Sequence, residues 1–175
     1  MLNHWHYFKR ASINQKVDTN EKDFEEMLKV LFICHGNICR SVMAEFMLKD
    51  MVRKAGRAGE FEIASRATSR EEIGNDMYPP AKRCLQGHGV PFERHAAAQV
   101  TRRDCETFDL LICMDDWNIR NMHRMFASDY DAKLSKLLDH TELKREVADP
   151  WYTGDFEQTY HDLLLGCEAL LAEIS

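Results

Sequence analysis

Two rhythms of apolar residues run along the chain: short unbroken runs, and longer stripes that recur every three or four positions. Val30–Cys34 ("VLFIC") is unbroken and predicts a buried strand. Ser41–Ala55 places Met43, Phe46, Met47 and Met51 on one face and stops at Gly56, which predicts a helix. Phe61–Ala64 predicts a second strand. Pro79 and Pro80 suit the first turn of a helix to about Gln86, stopped by Gly87 and Gly89. Thr101 suits the cap of a short helix to Glu106. Phe108–Met114 ("FDLLICM") predicts a third strand, Asp116–Phe126 the helix after it, and Lys133–Leu138 a weakly patterned fourth strand. Over Asp155–Ile174, the residues Phe156, Tyr160, Leu163, Cys167, Leu170 and Ile174 form one continuous apolar stripe, the clearest helix of the chain. Strands alternating with helices predict an α/β fold whose parallel sheet is covered on both faces.

Residues 1–26 break the rhythm. They are polar, cationic early (Lys9, Arg10, Lys16) and acidic later, and they read as a flexible N-terminal extension with a short helix near Glu21–Leu28. Residues 27–175 then make one domain of ordinary size. The net charge of −6 argues against nucleic acid or an anionic membrane as the main partner. No apolar run approaches the roughly 18 residues of a membrane span, and no signal peptide is legible. The six cysteines (34, 39, 84, 105, 113 and 167) lack a disulfide-framework spacing, which points to a reducing cytoplasm. Cys105, Cys113 and Cys167 read as small core residues. Cys34-x4-Cys39 with His35 lacks a second Cys/His pair at ligand spacing, so no metal and no cofactor is expected. The His4-Trp5-His6 cluster reads as part of the tail.

Chemistry concentrates at "CHGNICRS", residues 34–41, between the first strand and the first helix. In an α/β sheet, ligands bind where strands end at their carboxyl side. Residues 35–40 have the composition of an anion nest: Gly36 takes a positive φ without cost, and Asn37 tolerates the left-handed region. The N-terminus of the helix adds its dipole, and Arg40 supplies a planar fork matched to phosphate oxygens. The same field favours a thiolate on Cys34, with the Ser41 hydroxyl as a further donor. A nucleophile and a phosphate clamp made from one loop is the expectation. Late in the chain, Asp149 precedes Pro150, which stiffens it into an extended conformation, with Trp151 and Tyr152 beside it. Asp149 suits the proton donor that a poor phenolate leaving group needs.

The loop "CHGNICRS" resembles the active-site loop of the low-molecular-weight protein tyrosine phosphatases. The resemblance runs from about Lys29 to the C-terminus, through "SRATS", "GNDMYPPAKR", "HGV", "FDLLICMDDWN" and "DPW" in family order. It implies a flavodoxin-like, three-layer sandwich on a four-stranded parallel sheet. It also implies a two-step mechanism through a phosphocysteine on Cys34, with Arg40 holding phosphate and Asp149 as acid, then base. The implied substrate-binding residues are His35, Gly36, Asn37, Ile38, Cys39, Ser41, Trp151 and Tyr152, with Asn37, Ser65 and His95 keeping the loop in shape. Cys39 matches a loop cysteine that, in the family, forms a reversible disulfide with the nucleophile. The implied partner is a phosphotyrosine-containing protein, and the expected state a monomer or weak homodimer.

Val42, Arg66, His35 and Glu71 depart from the family's usual proline, glycine, apolar and aromatic residues, and bear on peptide preference more than on activity. Three rivals share parts of this pattern. An arsenate reductase of this fold relays a disulfide through two later cysteines, but Arg120 stands where Cys113 would need a partner. A protein-arginine phosphatase typically carries threonine where this chain has Ile38. A phosphate-binding module without turnover would not need Cys34, Arg40 and Asp149 together.

Overall fold

A computed structural model describes residues 27–174. Four strands, β1 (Leu28–Cys34), β2 (Phe61–Ala67), β3 (Leu110–Cys113) and β4 (Leu134–Lys136), form one parallel sheet in the order β2-β1-β3-β4. Six α-helices accompany them among the described residues: α1 (Arg40–Lys54), α2 (Pro79–Gly87), α3 (Arg102–Thr107), α4 (Asp116–Phe126), α5 (Pro150–Thr153) and α6 (Phe156–Glu173). The three-layer α/β expectation holds.

Side-chain alternation along β1 divides the core. Val30, Phe32 and Cys34 face a cluster built with α1, α2 and α6, including Met43, Leu48, Leu85, Leu163 and Leu170. Leu31 and Ile33 face the other cluster, with Val100, Cys105, Phe108 and Met122. β1 therefore buries both faces, which is why its sequence is unbroken rather than alternating. The stripe expected over 155–174 is the buried face of α6, with Phe156 half-buried at its start. No helix among the described residues is long and apolar enough to cross a membrane.

Differences from the expected elements have local causes. β2 continues to Ala67 because its whole length pairs with β1, from Leu28↔Phe61 to Cys34↔Ala67. β3 begins later, at Leu110: the Phe108 amide still bonds back to Asp104 in α3, and the Asp109 carboxylate accepts from the Lys29 amide. The fourth strand keeps only Leu134–Lys136, since 3-10 turns at Asp131–Lys133 and Leu137–His140 close in from either side. Leu28 opens β1 rather than ending a helix, and the rest of the expected 21–28 helix, like the extension itself, lies outside the described residues. Thr101 caps α3 as expected, in a reciprocal capping box with Asp104.

One glycine is dictated by packing. A Cβ on Gly166, in mid-α6, would collide with Cγ of Leu137, itself fully buried. Helix propensity alone favours Gly→Ala by about 1 kcal/mol. The clash reverses the sign, so Gly166→Ala is expected to lower stability by about 1–3 kcal/mol. A urea midpoint unchanged or raised at constant m would show that Leu137 steps aside freely.

Candidate active site

The sheet order creates the crevice. From β1 the chain crosses to β2 on one side and later enters β3 on the other. The loops after β1 and β3 therefore part in opposite directions and leave a cleft at their carboxyl ends. Cys34 ends β1, and Asp115 stands two residues past β3. The cleft holds about 370 Å³. Its floor is Cys34, Gly36, Ile38, Cys39 and Arg40; Asp115 and Asp149 flank it; His35, Glu71, Glu72, Trp117, Trp151 and Tyr152 complete the walls.

The loop reaches its shape through Asn37 rather than Gly36. Asn37 has φ +59°, whereas Gly36 is not among the positive-φ residues. Glycine at 36 serves close approach instead, since a Cβ there would meet Cγ of Glu72 at 3.3 Å. Asn37 is fully buried and pays for its strained backbone with a complete set of bonds. Its Nδ2 donates to Oγ of Ser41 (2.9 Å) and Oγ of Ser65 (2.8 Å). Its Oδ1 accepts from the Ala98 amide (3.2 Å) and from Nε2 of His95 (3.2 Å), and its carbonyl also accepts from His95 (2.8 Å). His95 must then carry its proton on Nε2. Burial holds the His95 pKa below its ordinary value, so the neutral ring that makes these bonds is the favoured form.

Proton counting gives this network a direction. Ser65 accepts from Asn37 and donates to Oε2 of buried Glu45 at 2.6 Å. Ser41 likewise accepts from Asn37, so its single hydroxyl proton is left for Sγ of Cys34, 3.0 Å away. The Asn37 amide also donates to Sγ, at 3.3 Å. The sulfur is thus placed as an acceptor of two hydrogen bonds. The N-cap of α1, Cys39, makes no side-chain cap bond, and no acidic residue sits in the first turn, so the helix dipole there is left uncancelled.

Arg40 is almost wholly buried and is gripped by two carboxylates. Nη1 donates to Oδ2 of Asp115 and Nη2 to Oδ2 of Asp149, each at 2.6 Å. Burial works against its charge, but the negative charges of Cys34, Asp149 and Asp115 outweigh burial and hold the Arg40 pKa above its ordinary value. Asp115 is anchored from behind, because its Oδ1 caps α4 by accepting from the Asn118 amide. Asp149 caps α5 through the Trp151 amide. The strand of chain before Asp149 is splinted to α6: the Ala148 amide donates to Oδ2 of Asp162 and its carbonyl accepts from Oγ1 of Thr159. Asp162 is buried and pairs with Arg145 through both oxygens.

The expected site residues therefore converge, with reassignments. Cys34, His35, Gly36, Ile38, Cys39, Arg40, Asp149, Trp151 and Tyr152 line the cleft. Asn37 and Ser41 are buried behind the loop, with the Asn37 amide and the Ser41 hydroxyl within hydrogen-bond distance of the sulfur. Ser65 and His95 both bond the Asn37 side chain. Arg66 turns away, donating to the Ser65 carbonyl and pairing with Asp104 at 3.3 Å. Val42 is buried within α1. His35 pairs with Glu71 across the cleft mouth at 3.0 Å. Asp115, Trp117 and Glu72 were missed as site residues; "MDDWN" directly after an unbroken strand was the signal available for the first two.

All six cysteines are free. The Cys39 thiol is pushed up to about 12, by burial first and then by the negative charges of Cys34 and Asp149. A thiol held that high stays protonated at neutral pH, so iodoacetamide is expected to spare Cys39 and to label Cys34 first, although both border the cleft. Peptide mapping that finds Cys39 modified as fast as Cys34 at neutral pH would contradict this.

A sequence profile of the family "Low molecular weight phosphotyrosine protein phosphatase" matches residues 29–175. The chain is 37% identical over 150 residues to the low molecular weight protein-tyrosine-phosphatase YfkJ of Bacillus subtilis, covering 85% of this chain and 96% of that one. The crystal structure of YfkJ superposes with a TM-score of 0.82, over 85% of this chain and 95% of its own. The low molecular weight phosphotyrosine protein phosphatase of Rattus norvegicus is 37% identical over 147 residues, covering 81% of this chain and 92% of that one. A structure described as drosophila arginine phosphatase superposes with a TM-score of 0.77 at 26% identity, over 85% of this chain and 98% of its own.

Proposed function

The chain belongs to the low molecular weight phosphotyrosine protein phosphatase family, and on that footing we propose that it hydrolyses phosphotyrosine in proteins through a phosphocysteine on Cys34. The observation that carries the reading is the directed hydrogen-bond chain that ends by donating to Sγ beside a buried guanidinium.

The first step replaces one Arg40 contact. Substrate phosphate takes Nη2 from the Asp149 carboxylate, while Asp115 retains Nη1 and keeps the fork aligned. Asp149, released and protonated, is the general acid. Sγ attacks phosphorus in line, the bond from phosphorus to the tyrosine oxygen breaks, and that oxygen takes the Asp149 proton. In the second step, the Asp149 carboxylate takes a proton from water, the water oxygen attacks phosphorus, and the S–P bond breaks to release phosphate and the thiolate. Trp117, Trp151 and Tyr152, all well exposed around the cleft, supply the faces that hold a phenyl ring. Six unpaired cysteines support a reducing, cytoplasmic setting.

Arginine phosphatase chemistry on the same fold is the second reading. Ile38 in the cleft lining favours the aryl ester, because it offers no hydroxyl to a charged guanidinium phosphate. The deciding test compares phosphate release from a phosphotyrosine peptide and its phosphoarginine counterpart under identical conditions. Faster release from phosphotyrosine supports the proposal; the reverse order overturns it.

The cleft mouth also predicts a peptide preference. Glu71 and Glu72 both border it, and only His35 answers Glu71. Peptides with lysine or arginine beside the phosphotyrosine should have a kcat/KM a few-fold above acidic ones at low salt, a solvent-accessible carboxylate being worth about 0.2–1 kcal/mol. Glu71→Gln with Glu72→Gln should level the two, and an unchanged ratio would assign the preference elsewhere.

A further inference from the structure

Away from the catalytic cleft, helices α2 and α6 bring three metal-ligating side chains to one point. Cys84 and His88 stand four residues apart at the end of α2, one turn of helix, and so share a face. Glu157 is in the first turn of α6. The sulfur, an imidazole nitrogen and a carboxylate oxygen all lie within 4.8 Å of one another. None of the three lines the cleft.

We propose that Cys84, His88 and Glu157 bind a zinc ion, with solvent in the fourth position. A tetrahedral zinc with Zn–S of about 2.3 Å and Zn–O of about 2.1 Å sets sulfur and oxygen about 3.6 Å apart. Sγ of Cys84 and Oε1 of Glu157 are 3.5 Å apart without an ion. Nε2 of His88 bonds the other Glu157 oxygen at 2.7 Å, so the imidazole already aims at the same carboxylate. The ring is fixed in that pose by parallel stacking on Tyr160, with centroids 3.6 Å apart and planes 8° from parallel. Such outside orientation is what makes a histidine ligand effective. His161, one turn beyond Glu157, places its ring edge-on to His88 at 6.1 Å and adds a basic group on the open side. Thiolate, imidazole and carboxylate together suit zinc, a borderline-soft ion, better than calcium or magnesium, which take oxygen ligands alone. Zinc binding releases the Cys84 thiol proton to solvent and sends the proton between Nε2 of His88 and Glu157 to Nδ1 of the same ring or to solvent, and no oxidation is involved.

No metal is legible along the chain, where Cys34-x4-Cys39 has no second Cys/His pair at ligand spacing. Here the third ligand lies 69 residues after the second, and only the packing of α2 on α6 joins them.

The test uses the full-length chain carrying Cys34→Ser and Cys39→Ser, which removes the cleft thiols that would also take zinc. Titration against a chromophoric chelator should show one zinc bound per chain, weakened at least about tenfold by Cys84→Ser, by His88→Gln and by Glu157→Gln. Cobalt in place of zinc should give a thiolate-to-metal charge-transfer band that Cys84→Ser abolishes. His88 and Glu157 are accessible at the surface, so their variants test the site even where Cys84→Ser perturbs packing. Zinc held equally by the His88→Gln and Glu157→Gln chains, or cobalt bound without a thiolate band, overturns the proposal.

Discussion

Cys34→Ser should leave a folded protein that binds phosphate and turns over no substrate. The loss of activity is expected to reach roughly 10⁶-fold, the scale of removing the nucleophile from a covalent hydrolase. The reason is specific to this loop. Serine preserves a polar atom where Sγ now accepts from the Asn37 amide and the Ser41 hydroxyl, so the cradle keeps its shape. A hydroxyl, however, is a much weaker nucleophile than a thiolate, and the groups bonded to position 34, the Ser41 hydroxyl and the Asn37 amide, point protons at it rather than take one away. Binding of vanadate or phosphate should persist, because Arg40 and its orienting Asp115 are untouched. A Cys34→Ser enzyme with appreciable turnover would mean that another residue forms the covalent bond. Loss of phosphate binding together with turnover would mean instead that the loop had collapsed.

The second large effect is a split between substrates. Asp149→Asn should cost roughly 10²–10⁴-fold in kcat on a phosphotyrosine peptide, the usual worth of a positioned acid. On p-nitrophenyl phosphate the loss in the first step should be much smaller, since nitrophenolate leaves unaided, whereas the tyrosine hydroxyl titrates near about 10 and needs a proton. The ground state should respond in the opposite sense. Asp149 holds Nη2 of Arg40 at 2.6 Å in the free protein, so incoming phosphate has to displace a carboxylate of like charge. The asparagine variant removes that competitor, and inorganic phosphate should inhibit it more tightly, by a few-fold. Equal losses on both substrates, with no gain in phosphate affinity, would place the acid elsewhere. Asp115→Asn separates the two carboxylates: it loosens the fork of Arg40 without removing the acid, so it should weaken phosphate binding rather than strengthen it.

Much of the architecture could be read along the chain because it rests on local rules. The unbroken run at β1, the stripe of α6 and the Thr101 cap each follow from neighbours within a few residues. Where the structure differs from those local rules, a distant partner decides. β2 runs on to Ala67 because β1 offers it partners there, and Phe108 and Asp109 leave β3 because α3 and Lys29 claim their polar groups. The left-handed residue fell to Asn37, whose side chain gains four partners, rather than to Gly36, which has none to gain.

The chain by itself determined the cysteine loop between β1 and α1, the late Asp-Pro pair and the α/β frame, because a strand, a tight turn and a helix start are made by consecutive residues. Tertiary structure alone decided that Asp115 shares Arg40 with Asp149, that Glu45 and Ser65 stand behind Asn37, and that Glu157 meets Cys84 and His88. Those encounters join residues 20 to 109 positions apart, and charge pairing over such separations is set by the order of strands and the crossing of helices rather than by any pattern written locally.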